Sequence, residues 1–226
     1  MQNLQQNYLA VLRTILSHGD ITLIAVSKTF GINAIRELYA LGQRDFGENY
    51  AQEFSQKSNE LDDLDIVWHF IGNIQSNKIK LIATSAHWVH SISTAKQIIK
   101  LAKYRPTNLP KLNILLEVNI SNEPSRHGIK TYNELIELAN LIKTTNNLQF
   151  HGLMGIASDT SDTLLIEKQF QKLVNTYKQL TRDGFDVDTI SMGMSNDYEL
   201  AIKNGSTMIR IGSKIFGSRN NSKNQT

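Results

Sequence analysis

The stretch ITLIAVSK, residues 21–28, is an apolar and β-branched run that ends in a lysine, a pattern typical of a buried parallel strand. Seven similar runs follow, and segments with apolar residues at three- and four-residue spacing, typical of helices, separate them. Eight strand–helix pairs are the number that a closed parallel barrel requires, so the sequence predicts a single (β/α)8 TIM barrel. The later runs are RDFGEN (44–49), IVWHFIG (66–72), WVHSIS (88–93), NILLEVNI (113–120), LQFHGLMGIA (148–157), TISMGM (189–194) and TMIRIGS (207–213).

A doubly wound open sheet is the competing architecture. That fold usually has fewer strands and a Gly-rich turn after the first strand. The first run here ends in Ser27, Lys28 and Thr29, and no GxGxxG motif follows it. The barrel is therefore the favoured fold.

The ends of the chain have their own expected structure. We expect residues 1–16 to form an extra N-terminal helix ahead of the first strand. Residues 1–218 carry the barrel pattern without a linker, so we predict one domain over this range. Residues 219–226 are rich in Asn, Ser and Lys, a composition that predicts a flexible C-terminal tail.

The composition limits the classes of protein to which the chain can belong. Of the 226 residues, 40% are hydrophobic and 20% are charged, which is typical of a globular protein. The net charge is +3, but the basic residues are scattered, so we predict no nucleic-acid partner. The chain has no cysteine, which excludes disulfides and thiolate nucleophiles. The polar amino terminus predicts neither a secretion signal nor a membrane partner, and we expect a cytoplasmic protein.

Polar residues recur where the predicted strands end. Lys28, Asn49 and Asn119 each fall at the end of a run, and Ser195 follows the seventh. TIM barrels carry their active sites at the carboxyl ends of the strands. A single such residue is readily explained as a loop residue or as a lysine whose stem lies along the rim. Several at one mouth predict a binding site.

Alternation along TMIRIGS predicts the direction of Arg210. Ile209 and Ile211 share one face, which should meet the helices, so Arg210 should point into the barrel. A buried guanidinium is costly unless an acceptor or an anion meets it. Glu117 faces inward by the same parity and is the candidate acceptor, in which case the pair could be purely structural.

Two Gly/Ser turns after the last two runs suit a phosphate group. Ser195 is either the N-cap of the segment NDYELAIKNG or a phosphate ligand, and Gly212 with Ser213 supplies a second turn. A lysine across the mouth from a phosphate site indicates a Schiff base with a phosphorylated aldehyde, and pyridoxal 5′-phosphate (PLP) fits. Arg210 would then donate to the pyridine nitrogen and leave the ring a poor electron sink.

Seven blocks of sequence, in order, resemble the pyridoxal phosphate homeostasis proteins, single-domain relatives of the N-terminal barrel of alanine racemase. The resemblance covers nearly the whole chain. It implies that Lys28 carries the internal aldimine, that Asn49 lies beside the ring, and that Arg210 meets the pyridine nitrogen. It also implies that Ser195, Gly212 and Ser213 hold the phosphate. The blocks are AVSKTF (25–30), GQRDFGENYAQE (42–53), WHFIGNIQSNK (68–78), LLEVNISNEPSRHGI (115–129), HGLMGIAS (151–158), SMGMSNDYELAI (191–202) and GSTMIRIGSKIFGSR (205–219).

Three positions depart from the pattern of that family. Ser93 stands where the family often has Asp, Arg126 where lysine is common, and Ser213 where threonine is usual. The resemblance implies a monomer without the second domain that supplies the racemase's opposite tyrosine base.

Three functions fit these features. The first is a PLP-binding protein of intracellular PLP homeostasis, with PLP-dependent apoenzymes as candidate recipients and indirect effects on amino-acid and keto-acid metabolism. The second is a weak racemase-like enzyme that uses the same lysine, and the third is a Schiff-base aldolase without the cofactor. His69, His90 and His151 lack metal-ligand spacing, so we predict no metal site. His69 is better explained as a hydrogen-bonded core histidine than as a proton donor.

Overall fold

The computed structural model of the chain describes residues 2–123 and 126–217, and eight parallel strands within them close into a barrel. The strands pair in chain order, and the eighth pairs with the first. The TIM barrel predicted from the sequence is confirmed. Each strand lies within the run that predicted it, except that the fifth begins one residue earlier. The strands are β1 (Thr22–Val26), β2 (Asp45–Glu48), β3 (Val67–Phe70), β4 (Trp88–Ile92), β5 (Leu112–Val118), β6 (Leu148–Gly155), β7 (Thr189–Ser191) and β8 (Met208–Ile211).

A helix follows every strand, and one further helix precedes the first strand, as the sequence predicts. This extra helix, α1, packs against α2 and α9 through the buried side chains of Tyr8, Val11 and Ile15. The predicted tail 219–226 and the boundary at residue 218 lie outside the described residues. The helices are α1 (Gln2–Leu16), α2 (Ile32–Ala40), α3 (Ala51–Glu60), α4 (Ile79–Ser85), α5 (Ala95–Tyr104), α6 (Tyr132–Lys143), α7 (Thr163–Arg182), α8 (Tyr198–Lys203) and α9 (Ser213–Phe216).

Side-chain alternation divides the core into an outer layer and a barrel interior. Ile209 and Ile211 belong to the large cluster between strands and helices, together with residues of every long helix. Ile24, Val26 and Met208 form a smaller cluster inside the barrel. Because Met208 and Arg210 share one face of β8, this arrangement puts Arg210 inside, as the parity of the sequence predicts.

Local sequence signals start several of the helices that follow the strands. The Thr94 hydroxyl accepts from the Gln97 amide while the Gln97 side chain accepts from the Thr94 amide, which forms a capping box at α5. Thr131 and Glu134 form the same motif at α6. These caps fix the points at which the chain turns away from the carboxyl ends of the strands.

The start of α8 corrects one sequence-based expectation. The helix begins at Tyr198 with Asp197 in the N-cap position, which excludes the first of the two alternatives for Ser195, that of an N-cap. The amides of Asp197 and Tyr198 both donate to the Met194 carbonyl, and this turn delays the helix. The Ser195 hydroxyl is therefore left for contacts at the mouth of the barrel.

Within the described residues, the helices are either too short or too polar to cross a lipid bilayer.

Candidate functional site

A cavity of about 680 Å³ opens at the carboxyl ends of the strands. This volume lies in the range of small-molecule and cofactor sites. The six residues predicted from the sequence all line it, although they come from the ends of four different strands, β1, β2, β7 and β8. They are Lys28, Asn49, Ser195, Arg210, Gly212 and Ser213.

The loop after β1 carries Lys28 into this cavity. Lys28 is half-buried, and the next residue, Thr29, has a φ of 71°, a left-handed conformation that is strained for a β-branched side chain. The Thr29 amide donates to the Glu53 carboxylate over 2.6 Å. This charge-assisted hydrogen bond holds the sharp turn that follows the lysine.

A buried ionic cluster lies behind that turn. The Lys57 ammonium donates to the Ser27 carbonyl (2.8 Å), to Glu48 (2.7 Å) and to Glu53 (2.8 Å). Glu48 is fully buried, and burial raises the pKa of its carboxyl group although Lys57 acts in the opposite direction. The cluster ties α3 to the end of β1, and so it fixes the base of the loop that bears Lys28.

This cluster was not predicted from the sequence. Two signals were present: Glu48 is a charge at a strand position of the helix-facing parity, and Glu53 and Lys57 are four residues apart on one helix.

Asn49 directly follows β2, lines the same cavity as Lys28 and has a buried amide oxygen. Its Oδ1 accepts no hydrogen bond from the described part of the chain. Gly72 packs directly on the Asn49 backbone, where a Cβ would overlap the Asn49 carbonyl. An unsatisfied buried acceptor in a cavity wall is a group that a ligand donor could satisfy.

Two turns with hydroxyl groups form the side of the cavity at β7 and β8. The Lys214 amide donates to the Ser195 Oγ over 3.3 Å, which links the turn after β7 to the start of α9. Gly212 is the N-cap residue of α9, and Ser213 is its first residue. Hydroxyl groups beside the first amides of a helix suit an anion.

Arg210 supplies a buried cation at the floor of the cavity. Its guanidinium donates to the Ser191 Oγ and to the Gly155 carbonyl (3.1 Å), which are both neutral acceptors. Burial lowers the pKa of Arg210 to about 10, while the charges of Asp197 and Glu117 act in the opposite direction. Glu117, the candidate acceptor, forms no salt bridge with Arg210 among the described residues, and the two side chains influence each other through their charges.

Two of the departures from the family pattern have clear positions. Arg126 lines the cavity, and its guanidinium donates to Glu123 (3.0 Å) and to the Ala157 carbonyl (2.9 Å). Ser93 lies instead at the start of α5, where its amide donates to Gln97, and it is not among the residues that line the cavity.

The loop after β6 forms one wall of the cavity, and this wall was not predicted from the sequence. Ser158, Asp159 and Thr160 line it, and Asp197 does so from the far side. Burial raises the pKa of the Asp197 carboxyl group, and hydrogen bonds from the Met194 amide act against that shift. The position of Ser158 directly after the sixth run was the available signal.

Comparisons with known proteins agree with this geometry. The family model described as "Alanine racemase, N-terminal domain" matches residues 1–220. A relative from Pseudomonas aeruginosa named pyridoxal phosphate homeostasis protein is 45% identical over 202 residues, which are 89% of this chain and 86% of the relative.

Solved structures indicate the same family and the same fold. The structure of PipY from Synechococcus elongatus with PLP bound is 33% identical, has a TM-score of 0.84, and matches 95% of this chain and 100% of PipY. An alanine racemase of Clostridium difficile is 14% identical with a TM-score of 0.76, over 98% of this chain and 58% of the racemase, and shares the fold. The chain therefore belongs to the pyridoxal phosphate homeostasis protein family, within the wider group that contains the N-terminal domain of alanine racemase.

Proposed function

We propose that this protein binds PLP as a Schiff base on Lys28 and serves intracellular PLP homeostasis. The observation that carries the proposal is the meeting, in one cavity, of a lysine amine, a buried cation and two turns that each carry a hydroxyl group. PLP presents three matching groups, namely an aldehyde, a pyridine nitrogen and a phosphate. The PLP-bound structure of PipY, at 33% identity, supports the same ligand.

The residues of the cavity fit this cofactor. Among the described residues, the buried Oδ1 of Asn49 has no hydrogen-bond donor, and Arg210 has only neutral hydrogen-bond partners. We assign Asn49 to the side of the ring and Arg210 to the pyridine nitrogen. Ser195, Gly212 and Ser213 would hold the phosphate.

Attachment needs the neutral amine of Lys28. Lys28 would hold the cofactor through a C=N bond between its amine nitrogen and the aldehyde carbon, and the aldehyde oxygen would leave as water with the two protons of the amine. The turn at Thr29, held by Glu53, keeps the lysine at the cavity wall during this exchange. The process is reversible with water, which suits a protein that both takes up and releases the cofactor.

The role as a carrier rests on Arg210. When bound, PLP supplies an electron sink for carbanions of amino acids, and a protonated pyridine nitrogen makes that sink strong. Arg210 keeps its own proton and can only donate a hydrogen bond, so the ring stays a weak sink. We therefore assign the protein to holding PLP for PLP-dependent apoenzymes in the cytoplasm. We also propose that it is a monomer with one domain over residues 1–218.

Replacement of Lys28 tests the attachment. Purified protein mixed with PLP should show a visible absorption band that Lys28→Ala lacks. Lys78→Ala is the matched control, because Lys78 lies at a small neighbouring cavity beside Asn49 and belongs to none of the assigned groups. The band should persist in the control. A band that survives in Lys28→Ala would contradict the proposal.

A weak racemase-like enzyme is the second candidate, because the cavity has the polar side chains of Ser158, Asp159 and Thr160 beyond the six assigned residues. Deuterium exchange at the α-carbon of a panel of amino acids separates the two functions. A carrier should give exchange close to the rate of free PLP. Exchange several orders of magnitude faster would favour the enzyme.

A further inference from the structure

A line of hydrogen-bonded polar side chains crosses the barrel interior from Arg210 to Asp45, at the amino-terminal end of the barrel. The Arg210 guanidinium donates to Ser191 Oγ, and this oxygen lies 3.0 Å from His90 Nδ1. His90 Nε2 lies 3.0 Å from His69 Nδ1, and His69 Nε2 lies 2.9 Å from Asp45 Oδ1. We call these five side chains the Asp45–Arg210 relay.

The relay joins two different environments. Ser191, His69 and His90 are fully buried, whereas the Asp45 side chain is 27% exposed. Asp45 is the first residue of β2, at the amino-terminal end of the barrel, and Arg210 reaches the cavity at the carboxyl ends. The Trp88 ring stacks on His69 with centroids 5.9 Å apart and planes within 11°. A packed aromatic wall of this kind keeps the imidazole in one orientation.

The two ends of the relay determine the direction of every hydrogen bond in it. Arginine can only donate, so Ser191 accepts from it, and the hydroxyl proton of Ser191 remains available for His90 Nδ1. A carboxylate can only accept, so His69 donates to Asp45 from Nε2. Neutral rings then leave one arrangement, in which His90 and His69 both carry their proton on Nε2. Burial favours neutral rings, since it lowers the pKa of both histidines.

We propose that Ser191, His90, His69 and Asp45 are positioning residues for Arg210. The relay holds the guanidinium in one orientation and transmits the polarisation from the Asp45 carboxylate to it, because each donor in a chain strengthens the next. A cation presented in this way can donate to the cofactor ring and still keep its proton. This consequence for the ring rests on the proposed PLP site, whereas the orientation of Arg210 is a property of the protein alone.

Two substitutions cut the relay in different ways. Ser191→Ala removes the link in the middle, and Asp45→Asn removes the terminal charge but keeps an acceptor oxygen. Ser91→Ala is the matched control. Ser91 is a buried serine on β4, next to His90, and its hydroxyl donates to the Gly72 carbonyl outside the relay.

Nitrogen-15 NMR of the cofactor-free protein is the first measurement. Both His69 and His90 should show neutral rings protonated on Nε2, and the Arg210 Nη resonances should show slow rotation of the guanidinium. Ser191→Ala should allow His90 to change its tautomer and should speed the rotation of the Arg210 guanidinium. Ser91→Ala should change neither property. Rings protonated on Nδ1, or rotation as fast in the wild type as in Ser191→Ala, would overturn the proposal.

The PLP-loaded protein gives the second measurement. Ser191→Ala and Asp45→Asn should shift the absorption maximum of the bound cofactor and raise its release rate, by about 5- to 10-fold for loss of one hydrogen bond. Ser91→Ala should match the wild type. Variants that behave like this control would overturn the transmission to the cofactor site. A wild type without any absorption band would instead contradict the PLP site, and the NMR result would still decide the relay.

Discussion

At the scale of single residues, the chemistry of the site depends most on Arg210. Its side chain is fully enclosed, its hydrogen bonds go to Ser191 and Gly155, and no carboxylate pairs with it within the described residues. In the proposed function, a cation in this position would tune the cofactor ring instead of anchoring it by charge. The strongest single-residue predictions therefore concern Arg210 and the histidines that lead to it.

Arg210→Gln should weaken PLP binding by about tenfold, because one hydrogen bond to the ring is lost or distorted. Folding should change little, since a smaller neutral amide still reaches the Ser191 hydroxyl and escapes the cost of a buried charge. Titration of the visible band measures the first effect, and urea unfolding measures the second. Binding as tight as in the wild type would contradict the assigned contact.

The buried histidines predict a pH dependence of stability. Burial lowers the pKa of His90 in the folded protein, so the unfolded chain binds more protons as the pH falls below about 6.5. The free energy of unfolding should therefore fall between pH 7.5 and pH 5.5, by at most about 1.4 kcal/mol per pH unit for each such histidine. Urea unfolding at several pH values checks this.

A matched variant isolates this contribution. His90→Gln keeps a donor and an acceptor but does not titrate, so the loss of stability in acid should be smaller than in the wild type. An unchanged slope would show that His90 does not titrate on unfolding in this range.

At the scale of elements, the ionic cluster between β1, β2 and α3 holds the loop that bears Lys28. Lys57→Met would leave Glu48 buried without its counter-charge, and we expect a loss of about 3–5 kcal/mol in the free energy of unfolding. The double variant Lys57→Met with Glu48→Gln should recover part of this loss. Chemical denaturation measures both.

The exposed pair of Arg36 and Asp63 is the control for this cluster. Both side chains of this pair are about half exposed, so Arg36→Ala should cost much less than Lys57→Met. Equal losses for the two variants would mean that burial of the Lys57 cluster has no special energetic weight.

The contact between Gly72 and Asn49 joins β3 to the loop after β2. Gly72→Ala would push its Cβ onto the Asn49 carbonyl, so the loop must move, at a cost of about 1–3 kcal/mol and with weaker PLP binding. Gly31→Ala is the control, because nothing lies within 4 Å of its Cβ position and its φ is −74°. Thermal unfolding and cofactor titration compare the two variants.

The sequence predicted the elements well because each strand lies in a short apolar run and each helix has apolar residues at three- and four-residue spacing. It also predicted that Arg210 points inward, since parity along one strand is a local property. The sequence left two alternatives open for Ser195, and it is not the N-cap because a turn at Met194, whose amide donates to the Asp197 carboxylate, takes up the same backbone. The neutral partners of Arg210 were not predictable either.

The relay was beyond the sequence for a different reason. His90 and Ser191 are 101 residues apart, and their contact depends on the register of the closed barrel. Nothing local in VHSIS or TISMG indicates that the two side chains meet. The same holds for Lys57, whose partners at Ser27 and Glu48 come from two other elements.

At the scale of the whole molecule, a closed barrel brings the ends of all eight strands to one mouth. The cavity there gathers side chains that are as far apart in the chain as Lys28 and Ser213. The distant racemase neighbour shares this barrel but is much longer, and this chain matches only 58% of it. A barrel that binds PLP with a weakly activating arginine is suited to holding the cofactor.

The central claim is that Lys28 is the point of attachment, and peptide mapping after borohydride reduction tests it most directly. Borohydride reduces a C=N bond to a stable secondary amine, so the pyridoxyl group stays on the lysine that held it. We expect the added mass of the reduced cofactor on the peptide that contains Lys28, in about one copy per chain. Added mass on a different lysine, or none after incubation with PLP, would contradict it.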